Sequence, residues 1–301
     1  MWDIASGDSS GRWESVESPV KVTINDICNS VNGPCAVANR GYVIGRAKDG
    51  SWGVIVENGP GAKRRALHSI DVTDDGKRVW FGGAGGALGY YDVPTGERED
   101  FSQPKGYGTA WHALTVSGPR NREKILLADG SGHTLPGDVG TDGIPDWGFQ
   151  SKPNNGNALY DLTADDDGIG YGVDGSGNVW KTTADGWERI GIDRAQNSFY
   201  AVEAVGDLVF VGAGNGRYWE WDGRTWTPFR LGGGTIHAIH KNQDVTLAGG
   251  SSGTLRVRRG DGDWHPVEWN GNATVNGVLV HDPPIAVGQN GTIAEGVESK
   301  D

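Results

Sequence analysis

With 301 residues, the chain has room for one large domain or two ordinary ones. Its formal net charge of −12, from 39 acidic against 27 basic side chains, repels phosphate backbones and argues against general nucleic-acid binding. No apolar run approaches the roughly 18 residues a membrane span needs, and Met1-Trp2-Asp3-Ile4 lacks the basic and hydrophobic regions of a signal peptide.

Gly contributes 51 residues, far above the usual share of about 7%. With 13 Trp and ample apolar content beside them, these glycines read as turn punctuation rather than linker. Their placement is periodic. A short apolar run, a Gly-rich turn and a second apolar run recur about every 40 residues, with the turns closing at Gly41, Gly86, Gly132, Gly177, Gly216, Gly253 and Gly291. That is a strand, a tight turn with φ > 0 and a return strand, at the spacing of propeller blades.

In chain order, residues 1–20 contain Arg12-Trp13-Glu14-Ser15-Val16, a lone outer strand with no partners of its own nearby. Blade 1 spans 21–58 and contains the only cysteines, Cys28 and Cys35, facing each other across a hairpin whose turn includes Asn32-Gly33. They read as two buried thiols or as a disulfide whose short loop would stabilise only modestly. Blade 2 (59–108) has Leu67-His-Ser-Ile, Val79-Trp-Phe-Gly and Leu88-Gly-Tyr-Tyr, with Phe101 where other blades carry Trp. Blade 3 (109–156) is the most divergent. Blade 4 (157–195) is the cleanest copy: Leu159-Tyr-Asp-Leu-Thr-Ala, Gly170-Tyr-Gly-Val, Asn178-Val-Trp-Lys-Thr and Trp187-Glu-Arg-Ile. Blades 5 (196–232) and 6 (233–271) repeat it, with Trp226 and Trp264 opening their outer strands. Blade 7 (272–301) supplies only three strands before the chain ends.

The missing outer strand of blade 7 matches residues 12–16 in type and spacing. The expected fold is therefore an all-β, seven-bladed propeller of four-stranded blades, closed by the N-terminal strand. Closing a loop of nearly the whole chain costs about 5 kcal/mol. Burial of Trp13 and Val16 at about 2 kcal/mol each, with ladder hydrogen bonds at about 1 kcal/mol apiece, offsets it.

Four groups of residues are candidate sites. Aligned strand-a copies put Asn25, His68, His112, Tyr160, Tyr200, His237 and Asn276 at one position, a ring around the central channel. The next residues are mostly small (Ser69, Ala113, Ala201, Ala238, Gly277), with Asp26 and Asp161 departing from this. The ring either satisfies neighbouring blades or receives a ligand or partner loop. Asp138, Asp142 and Asp146, in a Gly-containing loop of blade 3, read either as an acidic surface turn or as ligands for a hard cation, Ca²⁺ or Mg²⁺. Asp165-Asp166-Asp167-Gly168 and Asp74-Asp75-Gly76 read as turn chemistry. Tyr218, Trp219, Trp221 and Trp269 form the fourth group, either core packing or an exposed aromatic patch for a glycan or protein.

The stretch Ala286-Val-Gly-Gln-Asn-Gly-Thr-Ile293 resembles the recurring strand-turn-strand motif of propellers related to photosystem II stability/assembly factors. Asp222-Gly-Arg-Thr-Trp226 resembles the end of an Asp-box (bacterial neuraminidase) repeat, with Asp185-Gly-Trp187 and Asp261-Gly-Asp-Trp264 as degenerate copies. The excess of Asp over Glu and Arg over Lys resembles proteins of extreme halophiles. A sialidase would need an arginine cluster beside a Tyr/Glu nucleophile pair, and Arg194, Arg217, Arg230 and Arg256 show no spacing that provides it. No nucleophile elbow, P-loop, zinc or dinucleotide motif is present. The expectation is a non-catalytic protein- or glycan-interaction module. One version is an attachment subunit of a particle such as a haloarchaeal tailed virus, on the virion surface and touching a host protein or glycan. The other is a cytoplasmic assembly or scaffold factor.

Overall fold

The computed structural model describes residues 12–153, 156–193, 195 and 197–297. Seven four-stranded antiparallel sheets make up the fold, and the only helical pieces among the described residues are three-residue 3₁₀ turns. Each sheet runs a, b, c, d outward in chain order, from Ile24–Ser30, Gly33–Ala38, Tyr42–Arg46 and Trp52–Val56 in blade 1 to the last blade. The seventh takes strands a to c from Val275–Leu279, Ile285–Gly288 and Ile293–Gly296, and strand d from Trp13–Ser15. Trp13 pairs with Gly296, Glu14 with Glu295 and Ser15 with Ala294. The two ends of the described chain thus share one sheet, which pairs two otherwise exposed strand edges.

The apolar core is divided among the gaps between neighbouring sheets. Seven buried clusters occupy these gaps, one per pair of blades. Trp13 packs between blades 6 and 7 with Leu247, Val257, Val275 and Val278, whereas Val16 is only partly buried and Val20 fills the blade 7–1 gap instead. The smallest cluster lies between blades 3 and 4, where Ala113, Ala128, Leu159 and Leu162 are the buried members. Arginines, Arg78 and Arg258 buried and Arg46 partly so, add polar links between sheets. Glu295 of blade 7 accepts two 2.8 Å bonds from the Arg46 guanidinium and one at 2.9 Å from Trp52 Nε1, tying the closing blade to the first. Arg78 of blade 2 meets Glu123 of blade 3 at 2.7 Å and Asp92 at 3.3 Å. Arg258 of blade 6 pairs with Glu220 of blade 5.

The periodic glycines close the b–c hairpins, with φ between +65° and +79°. In blades 1, 2, 5, 6 and 7 the preceding residue is left-handed too (Arg40, Gly85, Asn215, Ser252, Asn290), as a two-residue primed turn requires. Space is a second constraint. A Cβ on Gly291 would stand 2.1 Å from the Val20 carbonyl oxygen, where the chain crosses into the next blade. In blades 3 and 4 the hairpin is instead built on an aspartate: Asp129 Oδ1 accepts from the Ser131 and His133 N–H groups, and Asp174 Oδ1 from Ser176 and Asn178. Asp165 does the same at an a–b turn, receiving the Asp167 and Ile169 N–H groups, which places the Asp165–Asp167 run in turn chemistry.

Cys28 and Cys35 are direct cross-strand partners and are both free and buried. Burial pushes the Cys28 thiol well above its usual range and Cys35 to about 11, so neither is a ready nucleophile at neutral pH.

Gly291→Ala combines a left-handed φ with backbone overlap and is expected to lower stability by about 2–4 kcal/mol. Gly96→Ala, at φ +75° with open space around it, should lose only about 1 kcal/mol. Urea unfolding of the two variants distinguishes conformation from close approach; equal losses would show that the crossing at Val20 imposes nothing.

Candidate functional site: the central channel

All seven strand-a positions aligned from the repeat lie at the channel, as the lining of a cavity of about 410 Å³. The local cause is a β-bulge. In every blade the a–b register slips at this residue, between Ile24 and Asp26, Leu67 and Ser69, Trp111 and Ala113, Leu159 and Asp161, Phe199 and Ala201, Ile236 and Ala238, and Val275 and Gly277. The skipped residues are Asn25, His68, His112, Tyr160, Tyr200, His237 and Asn276. A bulge re-aims one side chain out of the pleat, and seven of them build a collar at the end of the channel where the b–c turns gather.

The collar divides into two arcs. Asn25 Nδ2 donates to the Leu67 carbonyl at 2.6 Å, and Asn276 Nδ2 to that of Ile24 at 2.9 Å. His68 Nδ1 lies 3.1 Å from the Trp111 carbonyl, so that nitrogen carries the proton. Each of these three bonds reaches the opening residue of the next blade's strand a. His112, Tyr160, Tyr200 and His237 make no such link. They form an aromatic arc over blades 3–6, in which Tyr160 and Tyr200 centroids are 5.2 Å apart and Tyr200 is edge-to-face with His237 at 5.5 Å, while His112 contacts His68 instead, edge-to-face at 5.9 Å. Tyr160 is 40% exposed. Above the collar lies a basin of about 490 Å³ that also touches Thr23 and Gln289.

Below the collar the channel is acidic. Asp26, Asp71, Asp161 and Glu203 come from four blades and all line the cavity. Each accepts a backbone N–H from strand a of the next blade: Ile70 to Asp26 (3.0 Å), Val116 to Asp71 (2.8 Å), Val202 to Asp161 (2.8 Å) and Lys241 to Glu203 (3.1 Å). His240 plays the same part through Nδ1 for the Val280 N–H at 3.3 Å. Among the described residues no Lys or Arg lines the cavity. Alternation explains which positions contribute. The first residue after the bulge and the third share a face, and these are Asp26, Asp161, Asp71, Glu203 and His240. Sequence reading picked out Asp26 and Asp161 as departures from small residues but passed over Asp71, Glu203 and His240, two positions further on.

Burial first, then mutual repulsion, raises these carboxyls against the N–H bonds that favour the charged form. Asp26 rises to about 7, Asp71 to about 6 and Glu203 to about 8, with Asp161 pushed well above the usual range. Burial lowers the imidazoles of His68, His112 and His237 and takes His240 to about 4, so they do not offset the negative charge at neutral pH.

The other candidates fall elsewhere. Asp138 and Asp146 face each other across the outer strand pair of blade 3, and Asp142 accepts the Ile144 N–H at the turn between them. All three are exposed, and among the described residues no group of three His, Cys, Asp or Glu converges as a metal ion requires. The aromatic patch is corrected. Tyr218 is fully buried and Trp219 nearly so, Trp221 packs on Trp226 at 5.2 Å, and Trp269 donates to the Gly253 carbonyl at 2.8 Å. Successive residues of one strand point to opposite faces, so these rings enter different inter-blade gaps rather than one surface. Arg217 and Arg230 are cross-strand partners on outer strands and Arg256 caps the Leu231 carbonyl, all away from the channel; Arg194 lies outside the described residues.

No family model matches the chain, and no curated protein matches it. Solved structures do. The WD40 repeats of RRP9 align over 95% of this chain and 97% of theirs at 13% identity and TM-score 0.77. U3-55K aligns over 95% and 98% at 13% identity and TM-score 0.78, and a chain of a mitotic checkpoint complex over 95% and 91% at 12% and 0.76. The likeness is to β-propellers, WD40 repeats among them. Similarity at this level of identity carries the fold.

The pH dependence of stability follows from the channel. A carboxyl whose folded pKa is raised stabilises the fold fully below its unfolded value near 4 and loses that contribution as pH rises through the folded value. A lowered imidazole contributes above its ordinary value of 6.5 and is lost on acidification. From roughly pH 8.5 down to 7 the carboxyl gain outweighs the onset of the imidazole loss, so the urea midpoint is expected to rise. Glu203→Gln, which keeps an oxygen for the Lys241 N–H, should flatten that rise; a wild-type midpoint constant across this range would contradict the assignment.

Proposed function

We propose that the chain is a non-catalytic protein-interaction module whose partner docks on the face bearing the b–c turns, over the collar. The aromatic arc of His112, Tyr160, Tyr200 and His237 carries this reading. Three collar residues bond the next blade, whereas these four do not, and His112, Tyr160 and His237 line the basin of about 490 Å³ beside Asn25, His68 and Asn276. Aromatic side chains with polar edges are the residues that concentrate binding energy at protein interfaces. A rigid ring of seven sheets holds them in place without a large ordering cost. The fold of the mitotic checkpoint chain, found in an assembly, is consistent with such a role.

A photo-crosslinking side chain at position 160 or at position 208 tests the face. Tyr160 and Leu208 are almost equally exposed, at 40% and 39%, but Leu208 stands at an a–b turn on the opposite face. A partner adduct is expected from position 160 and not from 208; adducts only from 208 would move the interface to the other end.

A finer reading places the module on a particle working in concentrated salt, as an attachment subunit contacting a host protein or glycan. The excess of acidic side chains supports it, because a strongly hydrated acidic surface stays soluble when salt shortens the Debye length to about 3 Å at 1 M. A neighbouring gene for a capsid or tail protein is the expected observation. A neighbouring membrane-complex operon would favour the cellular scaffold instead.

A further inference from the structure

We propose that the channel receives a single cationic side chain, lysine or arginine, projected through the collar by the docking partner. The inference rests on the interaction reading above and names what the partner must carry. Its basis is the chemistry stacked along the axis. The aromatic arc stands at the entrance, and ring faces attract ammonium and guanidinium groups. Asp26, Asp71, Asp161 and Glu203 line the space beneath, with no Lys or Arg among the described lining residues. The nearby Lys241 contributes its backbone N–H to Glu203, while its ammonium lies 5.7 Å over the Phe210 ring. Glu203 is half-buried in the channel wall and gives only Oε1 to that donor; its second oxygen has no partner among the described residues. His240 likewise uses Nδ1 for the Val280 N–H and has no partner at Nε2 among the described residues.

The spread of these groups selects the class of cation. The carboxylates sit on four different blades, each fixed by an N–H of the next, and among the described residues they do not close to the short distances of a metal site. A guanidinium offers five N–H donors in a planar fork and an ammonium three, so one side chain can bridge acceptors that no metal ion could touch together. The cavity of about 410 Å³ falls within the roughly 300–1,000 Å³ of small-ligand sites. Burial lowers the channel imidazoles and raises the Cys28 thiol, so these groups are neutral at pH 7. The carboxyls hold protons in competition with the cation.

Calorimetric titration with Nα-acetyl-arginine amide and Nα-acetyl-lysine amide, against the neutral isostere Nα-acetyl-citrulline amide, tests this. Saturable binding is expected from at least one cation, with citrulline weaker by about tenfold or more. Binding should strengthen between roughly pH 6 and pH 8.5 and release protons, seen as a buffer-dependent heat. Glu203→Gln should weaken it about tenfold. Tyr160→Ala, at the exposed mouth, provides a second variant that leaves the channel wall intact and should weaken binding several-fold. Equal binding of citrulline, affinity unchanged in both variants, or no binding of either cation would overturn the proposal. Calcium chloride that displaces the arginine amide and loses affinity in Glu203→Gln would also overturn it, by reassigning the channel to an inorganic ion. A crosslink from position 160 that persists in Glu203→Gln would leave docking on this face standing while the cation assignment fell.

Discussion

Seven innermost strands must approach one axis, and backbone packed that tightly has no room for seven large side chains pointing inward at the same height. The bulge resolves this. By slipping the register one residue into each strand a, it turns seven larger side chains into the channel and leaves mostly small residues, Ser69, Ala113, Ala201, Ala238 and Gly277, at the next position. The wall between blades, the collar and the acidic interior all take their positions from that repeated slip. A change of register by one residue would exchange channel-facing and gap-facing side chains in a whole strand.

The acidic interior serves two ends that pull against each other. Each carboxylate satisfies an N–H of the next blade, a bond worth more to a charged acceptor than to a neutral one. Placing four such groups around one channel raises the cost of ionising all of them together. Neutral imidazoles in the wall do nothing to relieve it. The fold tolerates the conflict because apolar burial in the seven inter-blade gaps, and the Arg46–Glu295 and Arg78–Glu123 pairs farther out, hold the sheets independently of the channel's charge state. Such stored electrostatic tension is what a cation entering the channel would relieve.

Blade 3 departs from its neighbours at its outer edge. Phe149 is 89% exposed beneath the Lys105 ammonium, and the gap to blade 4 has the smallest buried cluster. The irregular spacing there was visible in the sequence. Its three aspartates suggested a cation loop because carboxylates at short spacing in a Gly-containing segment look alike whether they converge or splay. The cross-strand placement of Asp138 against Asp146, with Asp142 turned to the Ile144 N–H, is a matter of register. Local composition does not encode it.

Repeat spacing, the left-handed glycines and the match of residues 12–16 to an outer strand were sufficient to determine seven blades and the closing pairing, because turn geometry and strand alternation are local properties that recur with the chain. Alignment of the copies also identified the collar. Tertiary structure alone decided that Asn25, His68 and Asn276 join blades while the aromatic arc remains available, and that Tyr218 and Trp219 are packed away from any surface. It alone brought Asp71 and Glu203 into one channel with Asp26 and Asp161. These residues lie up to 177 positions apart (203 − 26) and meet only because the ring closes, so their shared electrostatics has no signature within any one repeat.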